Sequence, residues 1–165
     1  EKLKESGIAY ILQDNSVFSN MTVDENLLMG GFLLDKTADA KKAVDEVFSG
    51  YDRLKKRRNS KASSLSGGER RLLEIARALI MNPKVLLVDE PSIGLEPRLI
   101  NMVFEILGDL QINQGKTIIM VEQNAKKGLE FSDIGYVIVS SELVLADYGD
   151  QLLENPEVGK LFLGG

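Results

Sequence analysis

Residues 65–90 read LSGGERRLLEIARALIMNPKVLLVDE, and this stretch decides the fold. Its first half carries Leu72, Ile75, Ala76 and Leu79 at helical spacing, the apolar stripe of a helix that lies on a core. Ser66 is a good N-cap, and Glu69 stands where a capping box needs its second member. The helix is predicted from Ser66 to about Ile80, with Asn82-Pro83 as its breaker. A short apolar run at Lys84–Val88 then reads as a buried strand, and two carboxylates, Asp89 and Glu90, emerge at its carboxyl end.

Outward from this helix and strand, the same alternation continues. A helix is predicted from about Glu96 to Ile112, a strand at 117–121, and a helix from about Asn124 to Phe131. Strands at 134–139 and 143–147 and a short helical tail follow. Strand–helix alternation with continuous apolar strands indicates a parallel sheet covered on both faces. Upstream, 7–12 reads as a short buried strand ended by turn chemistry at Gln13-Asp14-Asn15-Ser16. Thr22 and Glu25 form a second capping box, opening a helix to about Met29 that Gly30-Gly31 closes. A further helix, 37–48, places Ala40, Ala43, Val44, Val47 and Phe48 on one face. The block from Val17 to Asn59 is therefore helical and inserted between strands. The basic run Lys55-Lys56-Arg57-Arg58 reads as a solvated face or helix end.

Composition narrows the function classes. At 165 residues the chain is long enough for one domain with a core. A net charge of −5 argues against a nucleic-acid binder, which carries a basic stripe. There are no cysteines, hence no disulfide framework or thiolate metal site. There are no histidines, which removes the commonest general base. Catalysis must use carboxylates, lysines or backbone dipoles. No run is long and apolar enough for a spanning helix, and the charged start Glu1-Lys2-Leu3-Lys4-Glu5 has no signal-peptide segment behind it.

Three places carry candidate chemistry. In open α/β sheets ligands bind at the carboxyl ends of strands, where Asp89 can hold Mg²⁺ through water and Glu90 can deprotonate an attacking water. Read alone, the segment is equally a strand followed by an acidic turn. At Ser66–Glu69 a well-capped helix accounts for the cap but not for Gly67 and Gly68 in the first turn, each costing about 1 kcal/mol relative to Ala. Glycine there lets backbone N–H groups approach an anion, which the helix dipole also attracts. Gln123, just past the strand at 117–121, can sense a phosphate if the sheet is parallel, or simply begin a helix. Gly115-Lys116-Thr117 mimics the end of a P-loop, G-x-x-x-x-G-K-[ST], but Leu110 stands where the first glycine belongs. It follows a helix and opens a strand, the reverse of a P-loop, so it reads as a turn. No P-loop motif occurs in the 165 residues.

Together these residues resemble a family, the ATP-binding domains of ABC transporters. Leu65–Glu69 is similar to the ABC signature, Val85–Glu90 to the Walker B motif, and Gln13 to the Q-loop glutamine. Ser92-Ile-Gly94-Leu95-Glu96-Pro is similar to the D-loop. The resemblance implies a partial P-loop NTPase (ABC ATPase) fold of the α/β class. It would have a parallel RecA-like sheet flanked by helices (1–13 and 82–165) and an inserted helical subdomain carrying the signature helix (14–81). It implies ATP and Mg²⁺ as cofactors, with two such domains sandwiching two ATP molecules head to tail. Ser66, Gly67, Gly68 and Glu69 would then bind a partner's nucleotide in trans, and Asp89 and Gln13 would position Mg²⁺. Glu90 would be the general base, Gln123 would stand at the switch position usually held by His, and Glu96 would replace the usual D-loop Asp. The implied partners are a second ATP-binding subunit, identical or not, and transmembrane permease subunits, on the inner face of the cell membrane.

VEQN at 121–124 and the missing D-loop Asp resemble the branched-chain amino acid transport branch. So do FSNMTVDEN at 18–26, MGGF at 29–32 and LFLGG at 161–165. Gln13 and the Gly-Glu-Arg-Arg run at 68–71 also resemble the lipopolysaccharide-export ATPase; the amino acid branch is preferred. A different class, a non-hydrolysing regulatory module of ABC ancestry, is motivated by Gln123 and the missing P-loop. The resemblance places the P-loop and adenine-stacking loop ahead of Glu1. The expectation is a fragment of a longer ATPase, inactive alone.

Overall fold

The computed structural model describes residues 6–13, 16–34 and 36–163. The charged start Glu1–Glu5, Asp14 and Asn15 of the expected turn, and Gly164-Gly165 of the terminal motif lie outside the described residues. The chain divides into two compact units, Glu1–Ile119 and Met120–Gly165.

Strand β1 (Ile8–Ile11) pairs in parallel with β2 (Val85–Asp89), and β3 (Thr117–Val121), which spans the boundary between the units, takes the other side of β2. The pairing matches Ala9 with Leu86 and Ile11 with Val88, and all four side chains are buried. Because strand side chains alternate between faces, Tyr10, Leu87 and Asp89 share the opposite face. That register sets up the site. At β3, Ile119 and Val121 remain 58% and 63% exposed. The expected cover on both faces is therefore not present there among the described residues.

The inserted helical block builds its own core. Helix α1 (Val23–Gly30) starts with the expected capping box, Thr22 Oγ1 accepting from the Glu25 N–H at 3.1 Å and Glu25 Oε2 accepting from the Thr22 N–H at 2.7 Å. Helix α2 (Thr37–Gly50) buries Ala40, Val44 and Phe48, its predicted face. A short α3 (Asp52–Lys56) and a 3₁₀ turn (Ala62–Ser64) lead to α4 (Gly67–Leu79). Val23, Leu27, Val44, Phe48, Leu54, Leu72, Leu73 and Ala76 pack together across these helices. Burying each large side chain contributes about 1.5–3 kcal/mol. Gly30 explains how closely α1 and α4 approach: a Cβ there would lie 2.5 Å from the Arg77 carbonyl oxygen.

The basic run lies at a helix end as read, with Lys55 and Lys56 exposed in the last turn of α3 and Arg57 at its C-cap, but its arginines also make tertiary contacts. Arg58 bonds Asp24 at 2.6 Å and Asp45 at 2.7 Å and lies over the Phe48 ring at 4.8 Å. Hydrogen bonding to Asp45 in particular holds its guanidinium pKa above the ordinary value. Arg57 donates to the Ser64 carbonyl at 3.0 Å. Only tertiary contact distinguishes these two arginines from the exposed Lys55 and Lys56.

After α4, Asn82 takes a left-handed φ of 46° and β2 begins; α5 (Pro97–Ile112) buries Val103, Leu107 and Leu110. Gly115-Lys116-Thr117 is the turn its order indicated: Gly115 has φ 62°, and Lys116 Nζ donates to Asn82 Oδ1 at 2.8 Å and the Pro83 carbonyl at 2.9 Å.

The second unit corrects the expectation of a continuing parallel sheet. Strands β4 (Ile134–Val139) and β5 (Glu142–Tyr148) form a separate antiparallel pair. The reason is connection length: only Ser140 and Ser141 join them, both at positive φ (49° and 67°). Two such residues make a hairpin turn, whereas a parallel pair needs a crossover of a dozen or more. Helices α6 (Ala125–Phe131) and α7 (Gly149–Glu154) and a tail (Pro156–Leu163) complete the unit around Leu129, Val137, Leu152 and Val158.

Candidate nucleotide site

The end of β2 is organised by β1 and the residues just after it. Gln13 Nε2 donates to Glu90 Oε2 at 2.8 Å. Tyr10 Oη donates to Asp89 Oδ2 at 3.2 Å, and the neighbouring carboxylate raises the phenol pKa. Both contacts follow from the parallel register, which sets β1's carboxyl end beside β2's. Glu90 itself sits at φ 42°, a conformation that non-glycine residues rarely adopt and that costs on the order of 1–3 kcal/mol. Turn contacts hold it there: the Ile93 N–H donates to the Glu90 carbonyl at 3.3 Å, and the Leu95 N–H to the Ser92 carbonyl at 3.3 Å.

The residues around Gln13 are gripped by α4. Arg71 Nη1 donates to the Leu12 carbonyl and to Glu74 Oε2, both at 2.8 Å. Glu74 Oε1 accepts from the Ser16 N–H at 3.1 Å. Arg77 donates to the Ser16 carbonyl at 2.6 Å and to Ser16 Oγ at 2.7 Å, and burial lowers its pKa. Arg71 and Glu74 are buried, a pair strongly destabilising to break by removing one partner. Signature helix and Gln13 are thereby tied together.

At the start of α4, Ser66 is the N-cap, and the box is closed in both directions. Ser66 Oγ accepts from the Glu69 N–H at 3.3 Å, and Glu69 Oε2 accepts from the Ser66 N–H at 2.9 Å. The Glu69 carboxylate is thus turned back on its own cap. Ser66 and Gly67 are exposed, and a Cβ at Gly67 would meet nothing within 4 Å. Gly68 is buried instead, against Leu99 of α5.

Along 91–96, Ser92 is buried, Gly94 takes φ 67° with open space around it, and Glu96 is the N-cap of α5 without a side-chain cap bond. Gln123 is exposed and lies in the second unit. Beside it Asn124 Oδ1 accepts from the Lys127 N–H at 3.1 Å, and Glu122 Oε1 accepts from the Asn124 N–H at 2.8 Å. Its local setting is a helix start.

Sequence reasoning missed Tyr10, Arg71, Glu74 and Arg77. Tyr10 was accessible through period-two alternation once β1 is matched to β2. Charged residues on an amphipathic helix carry no sign that they fold inward onto another segment's backbone.

No group of three or more carboxylates that could cage a metal is found among the described residues. The donors at the β2 end suit instead a small hard cation that keeps most of its waters and shares the rest with phosphate. Asp89 supplies one carboxylate. Since Gln13 Nε2 donates to Glu90, Gln13 Oε1 is the atom left to accept or ligate.

The chain thus presents a parallel strand pair ending in two held carboxylates and, separately, a capped helix start opened by two glycines. The family model described as "ABC transporter" matches residues 1–93. The chain is 44% identical over 163 residues to the high-affinity branched-chain amino acid transport ATP-binding protein BraG of Pseudomonas aeruginosa, covering 99% of this chain and 69% of that one. It is 37% identical to the probable branched-chain amino acid transport ATP-binding protein LivF of Archaeoglobus fulgidus (96% and 66%). To the lipopolysaccharide export system ATP-binding protein LptB of Haemophilus influenzae it is 30% identical (97% and 66%). Among solved structures, the ADP conformation of MJ1267, an ATP-binding cassette of an ABC transporter, superposes with a TM-score of 0.81 at 28% identity, over 99% of this chain and 71% of that chain. The chain belongs to the ABC transporter family. It spans about two thirds of the length of these curated relatives.

Proposed function

We propose that this chain is the hydrolytic part of an ABC transporter ATP-binding subunit that powers branched-chain amino acid import. The observation that carries the reading is the carboxylate pair at the end of β2, with Glu90 held by Gln13 and Asp89 by Tyr10. Its similarity to BraG and LivF, greater than that to LptB, supports the amino acid branch over lipopolysaccharide export.

In this reading Glu90 takes the proton of the attacking water. Gln13 orients that carboxylate through its amide nitrogen. Asp89 and the Gln13 oxygen would hold Mg²⁺, which supplies neutralisation of phosphate charge when bound. Ser66, Gly67 and Gly68 bind the γ-phosphate of a partner's nucleotide, with Ser66 and Gly67 exposed, while Glu69 preserves the helix start. The 91–96 segment, with Ser92, Gly94, Leu95 and Glu96, lies in the D-loop position between the two sites, and Gln123 serves as the phosphate-sensing switch. The residues 1–13 and 82–165 form the RecA-like part, and 14–81 the helical subdomain facing transmembrane permease subunits. Assembly of the parent subunit with a second ATP-binding subunit on the inner membrane face brings each signature onto the partner's nucleotide. Residues 1–165 alone hydrolyse no ATP.

Glu90→Gln in the complete transporter tests this. Turnover is expected to fall about 10²–10⁴-fold, the usual worth of a general base, with nucleotide binding kept. Unchanged turnover would remove Glu90 from its role. A total lack of Mg²⁺-dependent hydrolysis in the unmutated complex would favour the non-hydrolysing module.

A further inference from the structure

Two adjacent glycines open α4, and the structure separates their roles. At Gly67 an added Cβ would find no described residue within 4 Å, so nothing among the described residues requires glycine there. At Gly68 the added Cβ would fall 2.5 Å from Leu99 Cδ2, with Cδ1 and Cγ each at 3.5 Å. Real Cβ atoms essentially never come that close, so either the Leu99 side chain or the helix start would have to give. Leu99 is half-buried in the first turn of α5, which limits where its side chain can go.

We propose that Leu99 is a positioning residue of the signature site, seated in the space that Gly68 leaves, so that the start of α4 is registered on the first turn of α5. This rests on the reading of Ser66–Gly68 as a nucleotide-contacting helix start. The two helices touch, and the Gly68–Leu99 approach lies in the first turn of each. The seat ties the exposed Ser66 and Gly67 to the segment 91–96, which runs directly into α5. A methyl at position 68 displaces either Leu99 or the helix start. Either movement shifts Ser66 relative to whatever it faces.

The test is a size-compensation cycle in the complete transporter: Gly68→Ala, Leu99→Ala and the double variant, with Gly67→Ala as a control. Gly68→Ala is expected to lower ATP turnover on the order of tenfold and also to lower the unfolding midpoint, since overpacking a filled contact is destabilising. Leu99→Ala in the same chain should recover most of that loss by making room for the methyl. It should not rescue Gly67→Ala, whose methyl never met Leu99. The thermal unfolding midpoint is read alongside, and there too the double variant should stand above Gly68→Ala. Full activity and an unchanged midpoint in Gly68→Ala would overturn the proposal, because Leu99 would then simply swing aside. A loss in Gly68→Ala that Leu99→Ala fails to relieve would overturn it as well, leaving the nucleotide as the reason for glycine. If the unmutated complex hydrolyses no ATP, the functional reading falls, while the midpoint cycle still decides the packing.

Discussion

The start of α4 and the end of β2 are both motif sites, yet they are built in opposite ways. The cap at Ser66–Glu69 closes on itself within one turn, each residue satisfying the other's backbone. The carboxylates at the β2 end are held by side chains from far away in sequence, Glu90 by Gln13 and Asp89 by Tyr10. A local device survives wherever its helix goes. A distant one exists only while β1, β2 and α4 keep their mutual placement. The difference predicts that damage to packing frees Glu90 from Gln13 before it disturbs the Ser66–Glu69 cap.

The sharpest break of that comparison is at the buried pair. Arg71→Met should destabilise the protein by about 3–5 kcal/mol by leaving the Glu74 carboxylate uncompensated, whereas Arg71→Met with Glu74→Met should cost far less. Chemical denaturation of the single and double variants checks this; equal losses in both would mean the pair is not what ties α4 to the Gln13 segment. Next in size, Ser66→Ala should cost about 0.5–2 kcal/mol, the ordinary worth of an N-cap, and leave the Gln13–Glu90 contact intact. A loss above that range would show that the cap is not self-contained.

Tyr10→Phe removes only a hydroxyl. It should raise the Mg²⁺ concentration needed for half-maximal nucleotide binding by roughly two- to tenfold, a net hydrogen bond's worth, with little change in folding. Binding of a fluorescent nucleotide titrated with Mg²⁺ reads it, and an unshifted curve would detach Tyr10 from Asp89.

The smallest effect concerns the other local cap. The Thr22 backbone N–H, then its hydroxyl, hold the Glu25 carboxyl below its usual 4.5. The unfolded chain therefore takes up that proton first as acid is added. The stabilisation is complete above pH 4.5 and is lost as pH falls through the lowered folded value. The gap in unfolding midpoint between the unmutated protein and Glu25→Gln should close across that acid range. A gap independent of pH would place the effect elsewhere.

Much of this molecule was legible before any coordinates. Both capping boxes, the α4 stripe, the Phe48 face of α2 and the strand before Asp89-Glu90 appeared as read, because each depends on residues three or four apart or on strand alternation. The antiparallel β4–β5 pair was also written in the chain, in a two-residue connection too short for a crossover, although the longer alternation pointed the other way. The inward turn of Arg57, Arg58, Arg71, Glu74 and Arg77 was not legible. A charged residue on a helix looks alike in sequence whether it meets water or a carbonyl.

The capped, glycine-opened helix start and the acidic strand end were thus determined by the sequence itself, since helix capping and strand alternation act over a few residues. Only the tertiary structure decided that Gln13 grips Glu90, that Tyr10 meets Asp89, and that one signature glycine is open while its neighbour seats Leu99. Each of those depends on which face of one element lies against another, and packing settles that only after the whole chain has folded.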